Sequence, residues 1–181
     1  MHRSLTSQLP LSRYRIDRDH VSRERPHLFD ELAADGETRV IALWRGEVLL
    51  ADPDSGEPAV NAATDAAPAP ALRFLPYSSL PADALHIYLG RTLDDEPDLA
   101  AGTAVVAVVL DDEAGPELEP DVALWGSPRT LGHRLGDRDA GLVIEALGIA
   151  NWHETHQFSP RTGHPTESVK GGWVRIDSRD G

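Results

Sequence analysis

Cysteine is absent from the 181 residues, which excludes disulfides, a catalytic thiol and any thiolate-bound metal. Lysine is nearly absent as well: Lys170 is the only one, and arginine carries almost all of the positive charge. Positive charge is itself in deficit, with 17 Lys and Arg against 30 Asp and Glu and a formal net charge of −13. A field of that sign repels phosphate backbones and anionic bilayers, so generic nucleic-acid or membrane-surface binding is not expected. Long apolar runs are missing too. The longest, Ala104 to Leu110, has seven residues, against the roughly 20 that a membrane-spanning helix needs. No signal-peptide core is present either, since Leu9, Pro10 and Leu11 run into Ser12 and Arg13. The expectation is a soluble, cytoplasmic protein.

What is present suffices for one ordinary domain and a small appendage. Hydrophobic residues make up 40% of the chain, and 14 prolines with 15 glycines imply many loops. Residues 1–25 carry six arginines offset by Asp17, Asp19 and Glu24. Two readings stand for them, a packed segment with solvated charges and a basic arm for RNA. Pro26 suits the first turn of a short helix bearing Leu28, Phe29 and Leu32, with Gly36 past its end. From Thr38 the pattern becomes strand. Arg39 to Trp44 and Glu47 to Ala51 flank Arg45-Gly46 as a hairpin, and both faces are apolar, so the sheet should be covered on both sides. Asp52 to Pro70 reads as a loop. Further strands are expected at Ala71 to Leu75, Leu85 to Leu89 and Thr103 to Leu110. The acidic connections Asp94 to Asp98 and Asp111 to Asp121 read either as solvated loops or as a divalent-cation site.

A long helix follows, capped by Asp137 or Asp139, with Leu142, Val143, Ala146, Leu147, Ile149, Ala150 and Trp152 at helical spacing. Gly148, unfavourable inside a helix, would mark close packing. Beyond the helix stands Asn151-Trp152-His153-Glu154-Thr155-His156, then Ser159-x2-Thr162, Gly171-Gly172-Trp173-Val174-Arg175, and Asp177-x2-Asp180. With cysteine at Ser159, Thr162, Asp177 and Asp180 this would have the spacing of a structural zinc site. Ser and Thr offer only neutral hydroxyls, and two aspartates make half a site, so zinc is not expected. Phe158, Trp173 and Ile176, with turns at Pro160 and Gly163, would then hold the segment together, leaning on the helix that ends at Trp152 or on a second subunit. His153, His156 and His164 form a second cluster, read either as structural histidines or as a metal site. The His153-Glu154-Thr155-His156 run is one residue shorter than the metalloprotease helix motif.

The Trp-His helix end, the four ligand positions and the Gly-Gly-Trp-Val-Arg stretch together resemble the front part of Nudix-family NADH pyrophosphatases, in the cysteine-free form of some actinobacterial members. Leu11-Ser12-Arg13 with Asp17-Arg18, and Tyr88-Leu89-Gly90-Arg91, also resemble that family. The resemblance implies an α+β fold: a Nudix-like N-terminal domain with a mixed β-sheet and a long C-terminal helix over 1–152, then a zinc-ribbon-like segment over 153–181. It also implies a catalytic Nudix domain outside this chain. The family's Nudix box, whose glutamates hold magnesium or manganese against a pyrophosphate, does not occur in these residues, nor does a Gly-x-Ser-x-Gly elbow or a phosphate-binding glycine loop. The chain alone is therefore expected to be inactive. Arg129, in Ser127-Pro128-Arg129, matches an arginine position that the family associates with the dinucleotide, so the resemblance makes it a substrate-binding candidate. The parent enzyme would split NADH into reduced nicotinamide mononucleotide and AMP, extending to NAD-capped RNA, with this part as scaffold and homodimer surface anchored by Trp152 and Trp173. Two other readings remain open: a stand-alone dinucleotide-sensing or protein-interaction module, and an unrelated histidine/carboxylate metalloenzyme.

Overall fold

The structure is a computed structural model that describes residues 15–53, 69–177 and 179. Leu11-Ser12-Arg13, most of the Asp52 to Pro70 segment and Asp180 lie outside them. Strands β1 (Ile16–Asp17), β2 (Arg39–Trp44), β3 (Glu47–Leu49), β4 (Leu75–Pro76), β5 (Leu85–Thr92), β6 (Ala104–Leu110) and β7 (Trp125–Gly126) share one sheet. Its order is β1-β5-β6-β2-β3-β7, with β4 paired to β2. Only the β2–β6 pair is parallel, so the sheet is mixed. Helices α1 (Leu28–Ala34), α2 (Ala114–Leu118), α3 (Pro128–Leu131) and α4 (Asp137–Thr155) complete the main body. A separate hairpin, β8 (Glu167–Val169) and β9 (Val174–Ile176), ends it.

The centre of the sheet is apolar on both faces, as its strand sequences require. On one face Ile41, Leu43, Ile87, Leu89 and Val105 pack against Leu142, Val143 and Ala146 of α4. On the other, Val40, Ala42, Tyr88, Val106 and Val108 meet Leu28 and Leu32 of α1, together with Trp44 and Trp125. Each fully buried Val, Leu or Ile side chain contributes about 1.5–3 kcal/mol, so β2, β5 and β6 form the stable centre. The β2–β3 turn places both Arg45 (φ 51°) and Gly46 (φ 76°) in the left-handed region. Two such residues make the turn whose twist suits a two-residue hairpin.

Several local expectations are corrected. Ala71 to Leu75 is not a continuous strand; Leu72 makes one isolated bridge to Leu50, and only Leu75 enters β4. Strand β5 runs to Thr92, carrying a bulge between Tyr88 and Gly90. The residue before α4 is Gly136, and no side chain caps the helix. Asp139 turns inward instead, accepting from the Leu72 amide at 3.0 Å and from Arg138 Nε at 2.8 Å. A buried carboxylate needs such partners more than an exposed helix end needs a cap. Gly148 does not mark close packing, since a Cβ there would meet nothing within 4 Å.

The acidic connections are partners rather than a bare solvated surface. Asp98 grips Arg138 with two parallel bonds of 2.7 Å, and Glu96 lies 3.2 Å from the same guanidinium. Asp94, Asp112 and Glu119 pair with Arg15, Arg45 and Arg73. The Arg138 network ties the β5–β6 connection to the start of α4. Burial alone would lower the Arg138 pKa, but its bonds to Asp98 and Asp139 outweigh that and raise it.

Candidate functional site at the helix–hairpin junction

Three consecutive residues with positive φ, Lys170 (53°), Gly171 (64°) and Gly172 (88°), form the turn between β8 and β9. That turn docks on β5 at the edge left uncovered where β1 stops. Gly171 O accepts from Tyr88 N at 2.8 Å, and Trp173 Nε1 donates to Tyr88 O at 2.7 Å. A Cβ on Gly172 would sit 2.7 Å from His86 O. Both the φ angle and the lack of room therefore call for glycine there. The half-buried Trp173 ring lies under Arg23, whose guanidinium carbon is 3.5 Å from its centroid. Burial lowers the Arg23 pKa, with Glu145 opposing the shift. Burial likewise raises the Glu145 carboxyl, against Arg18 and Arg23.

The last turn of α4 supplies the second attachment. His153, 3% exposed, is within 2.7 Å of Gly172 O through Nε2 and of Arg175 Nη1 through Nδ1. A guanidinium can only donate, so Nδ1 is the acceptor and Nε2 carries the hydrogen. Burial lowers the His153 pKa; the Gly172 bond opposes this and the Arg175 charge reinforces it. His153 is accordingly a neutral crosslink between helix and hairpin. Arg175 also binds Thr166, through Nε to Oγ1 at 2.7 Å and Nη2 to the carbonyl at 2.6 Å. Trp152 stacks edge-on to His153, at 4.8 Å between centroids.

Three of the four zinc-ligand positions converge. Thr162 Oγ1 donates to Asp177 Oδ2. Asp177 Oδ1 accepts from the Arg179 amide at 3.0 Å. Ser159 Oγ accepts from the Thr162 amide at 3.4 Å, while Ser159 O accepts from Gly163 N at 2.8 Å. The Thr162 hydroxyl, then the Arg179 amide, hold the Asp177 pKa below its usual value. The fourth position, Asp180, lies outside the described residues. Hydrogen bonds thus link these three positions into a knuckle. Phe158 and Ile176, expected to form a small core, are instead 59% and 44% exposed; polar bonds and docking on β5 and α4 hold the segment.

The histidines do not converge. His156 Nδ1 lies near Thr155 Oγ1 and Trp152 O, and His164 Nε2 accepts from Arg179 at 2.7 Å. Among the described residues no group of three or more His, Asp or Glu is placed to hold a metal ion. Arg129 is exposed on α3. Arg175, not a candidate site residue in the sequence, is brought by the fold to a concave surface, as are Arg45, Arg39 and Arg134. In the sequence it closes the Gly171-Gly172-Trp173-Val174-Arg175 stretch and sits between two apolar residues of a short strand.

Two cavities flank these elements. One, of about 840 Å³, lies between the end of α4, the ends of β2 and β6, and the hairpin; Leu85, Val109, Leu147, Phe158 and Arg175 line it. The other, of about 450 Å³, lies beside α3 among Leu50, Leu72, Phe74, Leu131, Arg39 and Arg134. Arg129 lines neither. No helix among the described residues is long and apolar enough to cross a membrane.

Residues 37–152 match the family model described as "NADH pyrophosphatase-like rudimentary NUDIX domain". Curated relatives named "NAD-capped RNA hydrolase NudC", from Mycobacterium tuberculosis and Mycobacterium bovis, are each 33% identical over 63 residues. That stretch is 34% of this chain and 20% of each relative, so the match spans about a fifth of the relatives' length.

Proposed function

Since the chain belongs to the NADH pyrophosphatase-like rudimentary NUDIX family, we propose that it is the non-catalytic scaffold portion of an NAD(H) diphosphatase, acting in the cytoplasm. Residues 1–152 would be its Nudix-like unit and 153–181 its metal-free ribbon. The observation that carries this reading is the family match over 37–152 in a sequence without a Nudix box.

A divalent cation, magnesium or manganese, would serve the hydrolytic centre of the parent enzyme. No cluster of the described residues fits such an ion, so no step through it is assigned to them. Their part is to position: the Tyr88, His153 and Trp173 contacts fix the hairpin to the sheet and to the end of α4. NAD(H), and NAD-capped RNA as the relatives' name suggests, are the substrates expected of the parent enzyme. Arg129, exposed and at a family arginine position, is the substrate contact proposed here. A homodimer is the expected assembly, with Trp152, half-exposed beside His153 and His156, as one anchor.

The test is incubation of the 181-residue protein with NADH and manganese, following AMP by mass spectrometry. No AMP, where a full-length relative releases it, is expected. AMP release that EDTA abolishes would place a diphosphatase centre in these residues and overturn the reading. Sedimentation equilibrium checks the dimer.

A further inference from the structure

Arg175 is a half-buried cation whose hydrogen-bond partners among the described residues are all neutral. Its bonds to Thr166 Oγ1, Thr166 O and His153 Nδ1, at 2.6 to 2.7 Å, involve no carboxylate, and among the described residues none forms an ion pair with it. That sets it apart from Arg15, Arg45, Arg73 and Arg138, each paired with an acid. Arg23, Arg129 and Arg179 also form no ion pair among the described residues, and of these four arginines Arg175 is the one on the cavity beside the hairpin. The three bonds use three of the five N–H donors of the group and hold it in one orientation, leaving two donors for another acceptor. The cavity beside it, about 840 Å³, falls in the range typical of small-molecule sites. Leu85, Val109 and Leu147 offer an apolar wall, and Phe158 is an exposed ring on the same cavity.

We propose that this cavity binds a small organic phosphate monoester of about mononucleotide size, its phosphate on Arg175 and its flat body along Leu85, Val109, Leu147 and Phe158. A phosphate suits the place better than a carboxylate, having three acceptor oxygens for the two free guanidinium donors and the side-chain amides of Asn151 and Gln157 on the lining. Glu154 on the same lining forms no ion pair among the described residues and opposes the ligand's charge. No Nudix domain is needed to hold such a ligand, so binding and turnover are tested separately.

Calorimetric titration of the 181-residue protein with AMP, adenosine and adenosine 5′-carboxylate reads the site. AMP should bind most tightly and adenosine most weakly. Arg175→Gln should weaken AMP about tenfold or more, the loss of one charge-assisted bond. Glu154→Gln, an exposed change that leaves the fold intact, should tighten AMP about threefold, with the gain shrinking at high salt. Equal affinity for AMP and adenosine, or Glu154→Gln without effect at low salt, would overturn the site. A carboxylate that binds as well as AMP would overturn the phosphate assignment.

Discussion

His153 Nε2 donates to Gly172 O over 2.7 Å, joining the end of the long helix to the turn of the hairpin. His153→Leu would leave that buried carbonyl and one Arg175 donor without their partner, a cost of about 1–3 kcal/mol. Hydrogen exchange should rise across 167–176 while the β2, β5 and β6 amides change little. Uniform loss of protection would show that the hairpin is not a separately released unit.

The same contact makes stability depend on pH. Burial first, then the Arg175 charge, depresses the folded-state pKa of His153 below its ordinary 6.5. Above 6.5 both states hold it neutral and its contribution is complete. As pH falls below 6.5 the unfolded chain takes up a proton that the folded chain resists, so stability declines until the lower folded pKa is passed. The urea midpoint should therefore fall between pH 7.5 and 5.5. His153→Gln, which keeps a donor and an acceptor, should flatten that dependence; an unchanged slope would count against it.

The Thr162–Asp177 hydrogen bond stands where zinc would be bound in a cysteine-bearing ribbon. EDTA should leave the thermal midpoint unchanged, whereas Thr162→Val should loosen residues 159–177 in hydrogen exchange. A midpoint that drops with EDTA would reveal a structural metal.

Gly90 and Gly172 combine a positive φ with no room for a Cβ. A Cβ at Gly90, where φ is 128°, would sit 2.0 Å from Asp17 O; at Gly172 the nearest atom is His86 O at 2.7 Å. Gly90→Ala should push β1 off β5. Its cost, strain plus lost pairing, should exceed about 3 kcal/mol. Gly172→Ala should release the hairpin more locally. Chemical denaturation compares them, and a Gly90→Ala variant of wild-type stability would contradict the packing.

At the other end of α4, Arg138 is 5% exposed and Asp139 is 5% exposed, bonded at 2.8 Å. Arg138→Met strands the Asp139 carboxylate and should cost about 3–5 kcal/mol. Asp139→Asn, which can still accept from Leu72 N, should cost less. The reverse order in a denaturation series would mean that the Leu72 bond matters more than the charge pair.

How much was legible beforehand follows the range of each signal. Strands β2, β5 and β6 and helix α4 could be read from apolar periodicity because burial of their side chains outweighs other local preferences. The β2–β3 turn was readable from Arg45-Gly46. Ala71 to Leu75 has the apolar pattern of a strand, but its pairing is split between the Leu72 bridge to Leu50 and the Leu75 pair with Val40. Asp137 and Asp139 both fit a cap by local pattern, which cannot show that the Leu72 amide, 67 residues from Asp139, claims the Asp139 carboxylate.

The sequence by itself determined the absence of thiolate chemistry, the acidic surface, the family resemblance at the Trp-His and Gly-Gly-Trp stretches, and a doubly covered sheet. These follow from composition and from patterns a few residues long. Only the tertiary structure decided that Ser159, Thr162 and Asp177 close into a hydrogen-bonded knuckle. It alone showed that His153 links helix to hairpin, and that Arg175 lines a cavity with no ion pair among the described residues. Each of those depends on distances between residues far apart in the chain, which docking of the β8–β9 turn on β5 sets and no local pattern encodes.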